Sequence, residues 1–199
     1  MKTLIFLLSF LFVIVSANAA LPPQFSECLR ENSGTVMTVT DLKAISLLSR
    51  VTYCQNQVGI VGKTETMDLL RSPNIQVGIS LSKTTYSQLD LMDLASSGSY
   101  VLYVDSGRLT RDNLIALAQA NVQLVVMTAT SGLSKADLLA IAAAKPFILN
   151  VNSAVSRVDL RDYVTAGVQV VIRTSQSGLS RADIIDVAQV NSEMVTIMP

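Results

Sequence analysis

The sequence has no histidine and no tryptophan among its 199 residues. Without histidine a Ser-His-Asp or Cys-His nucleophilic system is impossible, and the commonest transition-metal ligand is missing. No GxGxxG, P-loop or EF-hand calcium loop occurs, so neither a cofactor nor a metal is expected. An excess of either charge is also lacking: 15 Lys and Arg balance 15 Asp and Glu. A dedicated nucleic-acid binder normally shows a basic excess, so that class of partner is excluded. Only one long apolar run is present, Leu4 to Val15, and it is too short for a comfortable membrane span.

That run follows Lys2 and precedes the small residues Ala17-Asn18-Ala19, the pattern of a cleaved signal peptide over residues 1–19. The expectation is an exported protein, periplasmic or secreted, with no stable membrane span after cleavage. The remaining chain is long enough for one domain with a substantial core. Export makes a Cys28–Cys54 disulfide plausible, stapling an N-terminal cap segment (20–36) to the repeat domain (37–199); two buried free thiols are the alternative.

What the chain has in abundance is one short pattern: an apolar residue, Ser or Thr, any two residues, usually Asp, then Leu or Ile. It begins at Met37, Tyr86, Leu109, Leu133, Val155 and Leu179, with a degenerate copy near Thr64, and recurs at about 22 to 24 residues. Each copy reads as a helix start. The hydroxyl caps the helix, the acid three residues on completes a capping box, and the flanking apolar residues form a hydrophobic staple. Apolar residues continue down one stripe, as in Leu138, Ile141 and Ala142. Gly98, Asn121, Gly167 and Asn191 stand where a left-handed stop is expected, and Pro146 ends another helix.

Between the helices lie β-rich runs at 75–80, 100–105, 122–128, 147–152, 168–173 and 194–198, with a weaker one at Val58–Val61. One alternating face is apolar; the other mixes Gln123, Val125, Asn150, Asn152, Gln169, Val171 and Arg173. Ser106, Thr128, Ser153 and Thr174 follow the strands and are expected to satisfy backbone groups there. This is the βαβ grammar of a parallel sheet. The expected fold is α/β: an open right-handed solenoid of about seven βα repeats, with the mixed face in water, or alternatively a small (β/α) barrel.

In period and in its strand–loop–helix unit the chain resembles leucine-rich repeat proteins from about Met37 onward. The family's Leu-x-x-Leu-x-Leu-x-x-Asn ladder is not reproduced; Ser106, Thr128, Ser153 and Thr174 are offset by one from its Asn. The resemblance implies a repeat solenoid that binds partners through its sheet face.

Most carboxylates are accounted for as capping acids, among them Asp41, Asp90, Asp137, Asp159 and Asp183. Asp105 ends a strand where barrels place catalytic groups. One recurrence is unexplained by folding: the first helical residue is basic in four copies, Arg111, Lys135, Arg157 and Arg181, although a cation there opposes the helix dipole. Stacked as a ridge, these side chains would face an anionic partner; paired locally with acids, they would only solubilise the edge. The strand at 194–198 offers an edge for self-association. The sequence therefore points to an exported, non-catalytic binding or structural module that recognises a protein or an anionic polymer. The ridge and the mixed strand face are the candidate site. The alternatives are a carboxylate-dependent hydrolase of envelope polysaccharide and a subunit of an envelope or secretion assembly.

Overall fold

A computed structural model describes Leu21, Phe25, Cys28 and residues 37–55 and 61–199. The elements in order are α1 (Val39–Ser46), β1 (Val51–Gln55), α2 (Lys63–Arg71), β2 (Ile75–Ser80), α3 (Gln88–Ser97) and β3 (Tyr100–Val104). There follow α4 (Arg111–Gln119), β4 (Gln123–Met127), α5 (Lys135–Ala144), β5 (Ile148–Val151), α6 (Arg157–Thr165), β6 (Gln169–Arg173), α7 (Arg181–Ala188) and β7 (Val195–Met198). The seven strands form one open parallel sheet in sequence order, with β1 and β7 at its edges. The expected signal peptide and most of the cap segment lie outside the described residues.

The helix starts are built as the motif demands. Thr38, Ser87, Thr110, Ser134, Ser156 and Ser180 each accept a hydrogen bond from the backbone N–H three residues on. At the degenerate copy Gly62 takes the cap position, and the Glu65 carboxylate still accepts from its backbone N–H at 2.9 Å. Two helix stops are left-handed, Asn121 (φ 66°) and Gly167 (φ 82°). Gly98 and Asn191 are instead extended. Gly98 is needed for space, because a Cβ there would lie 2.7 Å from the Leu70 carbonyl oxygen. The first strand also differs from expectation. It is Val51–Gln55, a β-branched and aromatic run directly after α1; of the weak run at 58–61 only Val61 is described, and it is not in a strand.

Two clusters of apolar side chains flank the sheet. The larger joins α1–α7 to the strand residues pointing at them, such as Leu102, Leu124, Val126, Leu149, Val170 and Ile172. Each such side chain, fully buried, is worth about 1.5–3 kcal/mol. The smaller cluster lies on the opposite, inner face: Val101, Tyr103, Val125, Met127, Ile148 and Val171, with Phe25 and Cys28 from the N-terminal segment. The mixed face is therefore not in water. Val125 and Val171 are fully buried, Asn150 is 1% exposed and Gln169 6%.

The strand register helps explain this. A row that starts on Ser80, the last residue of β2, passes through Tyr103, Val125 and Ile148 and ends on Gln169, the first residue of β6. A full strand length of stagger accumulates over four steps, the kind of shear that tilts strands and lets a sheet curl toward a barrel wall. The Cys28–Cys54 disulfide is formed and fastens the covering segment to β1.

Candidate functional site

The four basic N1 residues do not form a free ridge: Lys135 and Arg157 are neutralised by the next helix and Arg111 by its own neighbour. Lys135 opens α5 and reaches Asp159 (2.6 Å) and Asp162 (2.5 Å) of α6. Arg157 opens α6 and approaches Asp186 (3.3 Å) and Asp183 (3.9 Å) of α7. Lys63, which opens α2, does the same to Asp90 (2.8 Å) and Asp93 (2.6 Å) of α3. In each case a cation at the first helical position meets acids at the third and sixth positions of the next helix. Arg111 faces a helix with Asp137 but Ala140 at those positions, and it pairs with its own neighbour Asp112 at 2.9 Å. Gln88, the neutral member of the series, precedes a helix with Asn113 and Ala116 there. Arg181 is exposed and makes no ion pair among the described residues.

These contacts set the charge states. Lys63 beside Asp90, together with the Ser87 cap, holds that carboxyl far below the usual carboxylate range. Lys135 and Ser156 lower Asp159. The caps Thr38, Ser134 and Ser180 lower Asp41, Asp137 and Asp183. A carboxylate whose folded pKa is depressed stabilises the fold above its unfolded pKa, and that contribution disappears as pH falls through the folded value. With no histidine to titrate, thermal stability is expected to be flat from about pH 5 to about pH 8 and to fall below about pH 4. Thermal unfolding followed by circular dichroism checks this; a steep slope near pH 6.5 would contradict it.

What the fold does assemble is a cleft at the carboxyl ends of β2 to β6, about 410 Å³ in volume. Ser82, Asp105, Met127, Thr130, Asn150, Asn152, Arg173 and Gln176 line it. Asp105 stands directly after β3 and is engaged on both oxygens. Oδ1 accepts from the Ser82 N–H at 2.7 Å, while Oδ2 accepts from the hydroxyls of Ser80 (2.6 Å) and Ser82 (2.7 Å). It ties the turn after β2 to β3. Among the described residues no second carboxylate lines the cleft, so they do not assemble there the paired acids of a glycosidase.

On the other side, Arg173 at the end of β6 donates from Nε to Asn150 Oδ1 at 3.2 Å, and the buried Asn150 amide donates in turn to Met127 Sδ at 2.9 Å. Asn152 Oδ1 accepts from the Ala129 N–H at 3.0 Å and so holds the β4 loop against β5. Of the strand-face residues expected at the site, the structure brings Asn150, Asn152 and Arg173 together. Val125, Gln169 and Val171 are buried, and Gln123 is exposed at the opposite, amino end of β4.

Sequence reasoning missed Thr130 and Gln176, although a signal existed. The loops after β4 and β6 share one pattern, Thr128-x-x-Ser131-Gly132-Leu133-Ser134 and Thr174-x-x-Ser177-Gly178-Leu179-Ser180. In both the Ser N–H bonds back to the strand's last carbonyl (Ser131 to Met127, Ser177 to Arg173), and the Gly is left-handed (φ 69° and 68°). Thr130 and Gln176 occupy the same place in the two loops, and both reach the cleft.

No protein-family model matches the chain, and no curated protein matches it. Among solved structures, a mutant mandelate oxidase with (S)-mandelic acid is similar at 14% identity and a TM-score of 0.34, over 88% of this chain and 80% of that one. A likeness of that degree assigns neither a family nor a function to this chain.

Proposed function

We propose that the protein is an exported, non-catalytic binding module that receives a protein or an anionic polymer at the cleft formed by the carboxyl ends of β2 to β6. One observation carries this reading: five successive units place polar side chains around a single opening, while Val101, Val125, Ile148 and Val171 of the inner face are buried and the cations Lys63, Arg111, Lys135 and Arg157 are neutralised by acids. The disulfide supports export, since such bonds persist in oxidising compartments. Among the described residues no helix is long and apolar enough to cross a membrane.

Polyglutamate and a sulfated polysaccharide serve as probe polymers in an NMR titration of the purified protein. Amide shifts are expected to concentrate in residues 81–83, 105–108, 128–131, 152–154 and 173–177. The double variant K135Q/R157Q should bind as tightly as the parent, because both cations are already spent on acids. Shifts spread along the outer helix surface and abolished by K135Q/R157Q would overturn the assignment in favour of the ridge.

A further inference from the structure

Arg173 stands out from the other cations of the chain. It is only partly exposed, it sits in a polar cleft, and it makes no ion pair among the described residues. A guanidinium carries five N–H donors, and among the described residues only the Nε–H is engaged, on Asn150. Asn150 is itself 1% exposed, and its amide nitrogen is directed to Met127 Sδ, so its oxygen is left for the arginine. The side chain that orients Arg173 is thus fixed by packing.

Such an arrangement leaves the two Nη groups uncommitted, in the fork geometry that matches two oxygens of one anion. Asp105, the one carboxylate among the described lining residues, does not occupy them. It follows β3, two strands intervene, and its oxygens already accept three hydrogen bonds. Met127 walls the site below, and Thr130, Asn152 and Gln176 stand around the opening with hydroxyl and amide groups suited to the remaining oxygens of a ligand.

We propose that Arg173 is an oxyanion-binding residue, oriented by Asn150, and that the ligand enters the cleft with a carboxylate or a phosphate seated on the guanidinium. This rests on the cleft as the binding site and narrows it to one residue and one chemical class. Asn150 acts through Arg173 and is a positioning residue.

The test uses the purified protein with acetate and with inorganic phosphate, each at constant ionic strength against chloride. The Arg173 Nε–Hε resonance is followed by NMR and binding by calorimetry. A saturable shift with phosphate alone identifies a phosphate-bearing ligand, and one with acetate alone a carboxylate; both support the proposal. R173Q should abolish anion binding as read by calorimetry. R173K, which keeps the charge but loses the fork, should weaken it by about tenfold or more. N150L should broaden the Arg173 signal and weaken binding while the thermal midpoint stays measurable. No saturable shift with either anion in the parent, or calorimetric binding of the anion that R173Q retains, overturns the proposal. Should the probe polymers still bind at the cleft in R173Q, only the role of Arg173 falls; should they fail to bind the parent there, the binding site falls instead.

Discussion

Replacing Cys28 and Cys54 together by alanine is expected to lower the unfolding free energy by about 3 kcal/mol. The bridge spans 26 positions of sequence, and losing it frees that loop in the unfolded chain. In a domain of this size such a loss corresponds to a fall of about 6–12 °C in the thermal midpoint. A second effect follows from position. Phe25 and Cys28 belong to the inner cluster with Val101, Tyr103, Val125, Met127, Ile148 and Val171, so the bridge holds a cover as well as closing a loop. Released from β1, that cover is expected to separate from the sheet well below the global transition, exposing apolar surface. Dye binding (ANS) during a thermal ramp reads the first event, and near-ultraviolet circular dichroism the second. An unchanged midpoint with no early dye binding would show that packing alone retains the segment.

Gly78→Ala is the second change with a large expected effect. Gly78 lies in β2 on the inner face, and a Cβ there would stand 2.4 Å from Cys28 Sγ and 3.3 Å from both Cys28 Cβ and Tyr103 Cε2. The sulfur cannot retreat, because it is bonded to Cys54, and Tyr103 is 2% exposed. Overpacking of this kind costs about 1–3 kcal/mol. The bridge also makes the cause separable. In the C28A/C54A background the closest obstacle is gone, so the same substitution should cost less by about 1 kcal/mol or more, a coupling that a double-mutant cycle in urea measures. Equal costs in both backgrounds would show that the sheet, not the bridge, demands glycine.

Much of the fold was legible because its signals are local. A capping hydroxyl, an acid three residues later and a staple around them act within one turn, so Ser134 and Asp137 announce α5 without help from the rest of the chain. Alternation likewise marks β4 to β6. The inner face was misread because its cover is remote: nothing near Val125 or Val171 in sequence reveals that Phe25 and Cys28 lie in the same cluster. Stagger was hidden for the same reason, since register is a property of strand pairs. For the basic first-turn residues the sequence left a free ridge and local pairing with acids both open. The acids that pair with them lie one period further along the chain, as Asp159 does for Lys135, and a reading confined to one copy does not find them. At the cleft, Asp105, Asn150, Asn152 and Arg173 were named from sequence, three of them as neighbours on one strand face. Their convergence around one opening depends on curvature and was not visible.

The ion pairs that run from each helix to the next have a consequence for how such a chain changes length. Three joints carry a plug and a full socket: Lys63, Lys135 and Arg157 at first helical positions, each facing acids at the third and sixth positions of the next helix. Excising the 24 residues 122–145 would remove β4 and α5 together and bring Arg111 against Asp159 and Asp162, a fuller socket than the one it now faces. Duplicating residues 146–167, which hold β5 and α6, would likewise set Arg157 against a second Asp159 and Asp162. Recombination at these joints can thus lengthen or shorten the array without stranding charge at the new seam, and copy number becomes a property that the lineage can vary more readily there than the composition of any one unit.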